Sequence, residues 1–156
     1  WALVDLDGKV LESGEKAASV STNGVTEVEA LDFSQHLNLD SRRELAFMAE
    51  LWEGDTCLTR QMAFFIPTKH LALKDPQIKS KLSVKNGVLS IEVSSKSLAR
   101  LVECSLNGAD VVFSDNYFDL PAQTKVTVTA PLPNSWDLKK AKAAFNVRSV
   151  YDTYSN

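Results

Sequence analysis

Carboxylates are the largest stock of reactive groups in this 156-residue chain, with twenty Asp and Glu side chains. Two of them would suffice to cleave a glycosidic bond, if one were an acid of raised pKa and both faced a sugar-sized cleft. The glutamates Glu27, Glu29, Glu92 and Glu103 sit instead in strand-like contexts and read as solvated faces of sheets. The two histidines, His36 and His70, come without a Gly-x-Ser-x-Gly elbow or comparable nucleophile turn. His70 therefore reads as a surface or packing residue. Cys57 and Cys104 are the only cysteines, and with two scattered histidines they lack metal-ligand spacing. The expectation is two separate, half-buried thiols and no metal. A phosphate-binding glycine loop and a dinucleotide fingerprint are both missing from the sequence, so no cofactor is expected.

Aromatic side chains raise a second chemistry, because exposed Trp and Tyr rings stack on pyranose faces. The candidates are Trp1, Trp52, Trp136, Tyr117, Tyr151 and Tyr154. Trp52 and Tyr151 fall within strand patterns, where burial is the default. Trp136 lies beside a loop and a helix cap, which makes it the candidate for exposure, with interdomain packing as its expected role.

Composition narrows the partners. Seventeen basic against twenty acidic side chains leave a net charge of -3, too mild to steer nucleic acid or anionic lipid. The basic runs Arg42-Arg43 and Lys139-Lys140 are short and read as solvated surface. No apolar segment has the length of a membrane span, so neither nucleic acid nor membrane is expected as a partner.

The elements that would position these residues are strands. Asp7-Gly8, Asn23-Gly24, Asn86-Gly87 and Asn107-Gly108 are two-residue hairpin signals, and Glu53-Gly54-Asp55 marks another tight reversal. Between them, Leu89, Ile91 and Val93 alternate with Ser90, Glu92 and Ser94, and Val126, Val128 and Ala130 with Lys125, Thr127 and Thr129. Leu45 to Trp52 is apolar on both faces and forms the first arm of a long hairpin returning through Cys57 to Ile66. One short helix is expected over Ser135 to Ala144, capped by Asn134 or Ser135. Pro67 and Pro76 bracket an extended linker.

The predicted organisation is all-β: an immunoglobulin-like sandwich over residues 1–67, a linker at 68–77, and a second sandwich over residues 78–156. About five strands fit between Trp1 and Ile66, fewer than such a sandwich contains. Trp1 enters directly into strand-like sequence without an initiator Met. The first sandwich is thus expected to be incomplete at its N-terminus, and the chain to be a portion of a longer polypeptide.

Four blocks carry a family resemblance. Trp1-Ala2-Leu3-Val4-Asp5-Leu6-Asp7-Gly8-Lys9-Val10 looks like a strand and hairpin of the domain that follows the catalytic barrel in family 2 β-mannosidases. Phe64-Phe65-Ile66-Pro67-Thr68-Lys69-His70-Leu71 is similar to the exit from that domain. Ser114-Asp115-Asn116-Tyr117-Phe118-Asp119-Leu120 and Phe145-Asn146-Val147-Arg148-Ser149-Val150-Tyr151 are similar to the final immunoglobulin-like domain. The resemblance spans the chain, and the Ser-Asp-Asn-Tyr-Phe-Asp-Leu segment is its most specific part. It implies a parent enzyme that removes terminal β-linked mannose with retention; a periplasmic, extracellular or lysosomal parent is compatible with it, and the sequence itself assigns no compartment. The family's acid/base glutamate follows an asparagine, and no Asn-Glu pair occurs here. The resemblance thus implies a non-catalytic accessory region partnered by the catalytic barrel of the same polypeptide, with Tyr117 and Trp136 as interdomain contacts and mannose-containing glycans as a further partner. A carbohydrate-binding module or an adhesion-type immunoglobulin-like domain is the alternative.

Overall fold

A computed structural model describes residues 1–19 and 22–154. The chain is mostly antiparallel β-structure and divides into two compact units. The first holds Trp1–Asp5 and Lys9–Ala72; the second holds the chain from Leu73 together with Leu6–Gly8.

The first unit is built on a four-stranded sheet in the order β2-β1-β3-β4. Its strands are β1 (Ala2–Asp5), β2 (Val10–Ser13), β3 (Leu45–Glu53) and β4 (Thr56–Phe64). The expected long hairpin is β3–β4, reversing at Gly54, whose φ of +55° glycine adopts without steric cost. One face of the sheet is covered by chain from the β2–β3 connection, with Leu3, Phe33 and Leu45 buried among Trp1, Leu31, Leu37, Phe47 and Phe65. Phe33 meets Trp1 edge-on at 5.7 Å and Phe65 at 6.2 Å between ring centroids, the arrangement that ring quadrupoles favour.

Against the expectation of about five strands here, the described residues hold four. Asn23 does take a positive φ, but no described strand flanks it, and Val25 is fully exposed. After the turn Val28 and Ala30 alternate with Glu27 and Glu29, but all four are exposed, so the period-two pattern there buries no apolar face. Asp7-Gly8 does join two paired strands, yet through the four-residue loop Leu6–Lys9 rather than a two-residue turn, closed by Asp5 N–H donating to the Lys9 carbonyl at 2.9 Å.

The second unit is a sandwich of two three-stranded sheets, β5-β6-β9 and β10-β7-β8. Its elements are β5 (Lys79–Lys85), β6 (Val88–Ser94), β7 (Ala99–Leu106), β8 (Phe118–Leu120), β9 (Lys125–Pro131), α1 (Leu138–Ala144) and β10 (Phe145–Arg148). Leu82, Leu89, Ile91, Val93 and Val128 of one sheet pack with Ala99, Val102, Cys104, Leu106 and Leu120 of the other. These are the inward positions of the period-two patterns in the sequence. Asn86 (φ +51°) and Gly87 (φ +75°) form the two-residue β5–β6 turn as expected.

Asn107-Gly108 differs. Only Gly108 has positive φ, and the chain beyond it makes a single bridge, Leu106 to Ala109, before leaving the sheet. The helix starts at Leu138, capped by Asp137, whose side chain accepts from Lys140 N–H at 2.7 Å, and not by Asn134 or Ser135. Ser135 has φ +65°, a left-handed backbone that no helix start accommodates. Tyr151 lies in a 3₁₀ turn, Val150–Thr153, rather than a strand, because Asp152 reaches back to Ser149 N–H at 2.6 Å and curls the chain.

Leu6–Gly8 is bound into this unit through its backbone. The Leu6 carbonyl accepts from Leu98 N–H at 2.7 Å and Ser97 Oγ at 2.9 Å. Gly8 has φ +89°, and a Cβ there would stand 3.2 Å from that of Ala122, so both backbone and space require glycine.

Candidate functional site

Segment Ser114–Leu120 is where sequence specificity concentrates, and its side chains bond to backbone. Ser114 joins β9 twice, its N–H donating to the Thr129 carbonyl at 2.7 Å and its Oγ accepting from Thr129 N–H at 2.9 Å. Two residues on, the Asn116 amide grips β7: Oδ1 accepts from Cys104 N–H at 2.8 Å, and Nδ2 donates to the Cys104 carbonyl at 3.0 Å. Because β8 begins only at Phe118, paired with Val102, the Asn116 side chain continues the ladder where no strand is available. Asp119 holds a bulge in β7, where Leu101 has φ +49°. Its carboxylate accepts from Leu101 N–H at 3.1 Å and ion-pairs with Arg100. The segment therefore runs from one sheet of the sandwich to the other and is fixed to both.

Tyr117, within this segment, has φ +59° and is 60% exposed. Trp136 does not share that exposure. It is half-buried against the core of its own unit, and the Lys140 ammonium lies over its ring at 4.6 Å from the centroid. One face is taken by a cation, which leaves little open surface for a sugar.

Several of the carboxylates are drawn into structural pairs. Glu92 meets Lys125 at 3.0 Å and Glu103 meets Arg148 at 2.5 Å, each across neighbouring strands. Glu29 accepts from the Trp1 indole at 3.3 Å and stands 4.0 Å from Lys16. His36 lies 3.0 Å from Glu12, and the His70 carbonyl accepts from Arg43 Nε at 2.9 Å. Both cysteines are free thiols. Burial, with the Glu103 charge beside it, pushes the Cys104 thiol up to about 11. Among the described residues no cluster of His, Cys, Asp and Glu could hold a metal ion.

The sequence reading missed Trp52. It is 52% exposed, at the end of β3, with Leu51 and Leu58 exposed beside it. The physical reason is the length of β1, which pairs with β3 only from Leu45 to Met48, so beyond that point β3 and β4 form a two-stranded ribbon without a neighbour on that side. The Trp52 indole donates to Glu50 Oε2 at 3.0 Å, and Glu50 is held by Arg60 at 2.6 Å, so the ring is fixed on the outside of the ribbon. The detectable signal was the four-residue β1, too short to flank a nine-residue hairpin arm. A polar open depression of about 240 Å³ in the second unit is lined by Lys79, Lys96 and Lys125 with Gln77 and Gln123.

Comparison with known proteins gives two matches to family models in tandem. A model described as a mannosidase Ig/CBM-like domain matches residues 1–70, and the mannosidase model described as an Ig-fold domain matches residues 73–153. No curated protein matches the chain. A crystal structure of a beta-D-mannosidase from Dictyoglomus thermophilum aligns over 96% of the chain with a TM-score of 0.74 and 18% identity. The chain spans 18% of the length of that mannosidase chain.

Proposed function

From a chain that belongs to the mannosidase Ig-fold domain family, we propose a non-catalytic accessory region of a β-mannosidase that braces the catalytic barrel of the same polypeptide. The parent would be a retaining exo-hydrolase of terminal β-D-mannose. What supports this most is the tandem order, an Ig/CBM-like match followed directly by an Ig-fold match, both of mannosidase type. The pairing of the strand carboxylates with cations supports it as well, since a general acid needs a raised pKa in a cleft rather than an ion pair on a sheet.

Within this reading residues 1–67 and 78–156 act as separate domains joined at 68–77. Tyr117, which is exposed, and the half-buried Trp136 are the side chains that would meet the barrel. The test is to compare the full-length parent with a form lacking these residues. The isolated chain should not hydrolyse aryl β-mannosides, and removing it should lower the temperature at which the parent loses activity. Turnover by the isolated chain that vanishes on replacing one of its glutamates would overturn the reading. The Ig/CBM-like description of residues 1–70 and the exposed Trp52 favour a second reading, a carbohydrate-binding module. Calorimetry of the isolated chain with mannose-containing oligosaccharides distinguishes the two.

A further inference from the structure

We infer that the tip of the β3–β4 hairpin is a docking wedge for an apolar groove with a basic rim on the catalytic domain of the parent polypeptide; this rests on the accessory-region reading. Leu51, Trp52 and Leu58 are 47%, 52% and 55% exposed. Trp52 lies on the ribbon face that carries Glu50 and Arg60, Leu51 points to the opposite face, and Leu58 is the extra residue at the β4 bulge. Three large apolar side chains thus crowd the tip on both of its faces.

The chemistry of the tip selects among occupants. A sugar platform needs one open aromatic face ringed by hydrogen-bonding groups, and it would leave the opposite face, with Leu51, uncovered. A groove that takes the tip between two walls covers both. The Trp52 ring is already oriented by Glu50, itself held by Arg60, so little side-chain freedom is lost on docking. Glu53 and Asp55 are exposed at the turn and, among the described residues, take part in no ion pair. An apolar centre with a charged rim is the anatomy of a specific interface, and this rim asks for lysine or arginine opposite. A second copy of this chain is disfavoured, because two-fold pairing of tips would bring these carboxylates against their own kind.

Hydrogen exchange of the amides over residues 49–60, in the full-length parent and in the isolated chain, tests this directly. Docking should slow exchange at the tip by about tenfold or more in the parent. Trp52→Ala with Leu58→Ser should lower the parent's inactivation temperature by about 3 °C or more, while the isolated chain melts within about 1 °C of its unaltered form. Glu53→Lys with Asp55→Lys should act in the same direction, with the gap narrowing as salt rises. Equal exchange at the tip in parent and isolated chain overturns the inference. So does protection that appears only with added mannose oligosaccharide, or only at high protein concentration. If deleting residues 1–156 lowers the parent's inactivation temperature while tip exchange is unchanged, the wedge alone fails. If the deletion changes nothing, the accessory reading fails with it.

Discussion

Replacing Asn116 by alanine is the sharpest test of how the second unit is held together. The change removes both partners of the Cys104 main chain, an acceptor at 2.8 Å from its N–H and a donor at 3.0 Å from its carbonyl. Each bond contributes about 0.5–1.5 kcal/mol net, and stranding a buried polar group costs about 1–3 kcal/mol. Cys104 lies in the core cluster at 2% exposure, so water replaces the lost partners poorly. The expected loss is about 2–4 kcal/mol, or on the order of 10 °C in the melting of a domain this size. Asn116→Asp keeps an acceptor for the N–H but turns a second oxygen toward the carbonyl, and it should fall between the alanine variant and the unaltered chain. Hydrogen exchange by mass spectrometry reads the effect locally, with the β7 peptide reporting and the β3–β4 hairpin as internal reference. Val112→Ser, at a strongly exposed site, serves as control and should stay within about 0.5 kcal/mol. A loss for Asn116→Ala no larger than the control, or an equal loss in the hairpin, would refute the argument that this side chain substitutes for a strand.

Four further outcomes follow from the same geometry. Cys57, half-exposed, should be alkylated in the native chain near pH 8, while Cys104, neutral until about pH 11 and buried, should react only on unfolding; prompt labelling of both would contradict its burial. Asp119→Ala breaks the partly buried ion pair with Arg100 and frees the solvent-exposed Leu101 N–H, and should destabilise the second unit by about 1–2 kcal/mol in urea unfolding, most of it from the ion pair. Tyr117→Gly relieves a left-handed backbone worth about 1 kcal/mol and removes an exposed ring, so the isolated chain should hold or gain stability; a loss beyond about 1 kcal/mol would show that the ring packs. The Lys74 ammonium, then Ser97, hold the Asp7 carboxyl below its ordinary value. A depressed folded-state value adds stability that is present above the ordinary aspartate range and lost as pH falls through the folded value, so Asp7→Asn should flatten the acid limb of the stability curve slightly, the pair being half exposed.

Much of the second unit was legible because its strands obey the simplest code. The β6 and β9 patterns alternate cleanly, their apolar members are the buried ones, and Asn86-Gly87 closes the hairpin as its chemistry demands. Asn23-Gly24 carries the same dipeptide, yet among the described residues no paired strand flanks it, since a turn residue permits a reversal but only apolar residues with a surface to cover hold the arms together. Trp52 was misread for a related reason. A strand pattern predicts burial only where a neighbouring strand or layer covers it, and β1 stops after four residues. Trp136, next to a loop, is half-buried, with the ammonium of Lys140 four residues on lying over its ring, a contact that no local pattern announces.

The residues that carry the family resemblance are those that do the most for the fold. Ser114, Asn116 and Asp119 each spend their side chains on main-chain groups of neighbouring strands, and Arg148, Ser149 and Asp152 of the tail on an ion pair and a chain reversal. A polar side chain committed to backbone at 2.6–3.1 Å is not available to a ligand. Similarity in these segments therefore reports how the sandwich closes and leaves recognition to side chains without such duties. By that criterion the Ser114–Leu120 segment contributes only Tyr117, and the hairpin tip contributes Leu51, Trp52 and Leu58. Substitutions at these four exposed side chains should therefore leave folding largely intact, in a way that substitutions at Asn116 or Asp119 cannot.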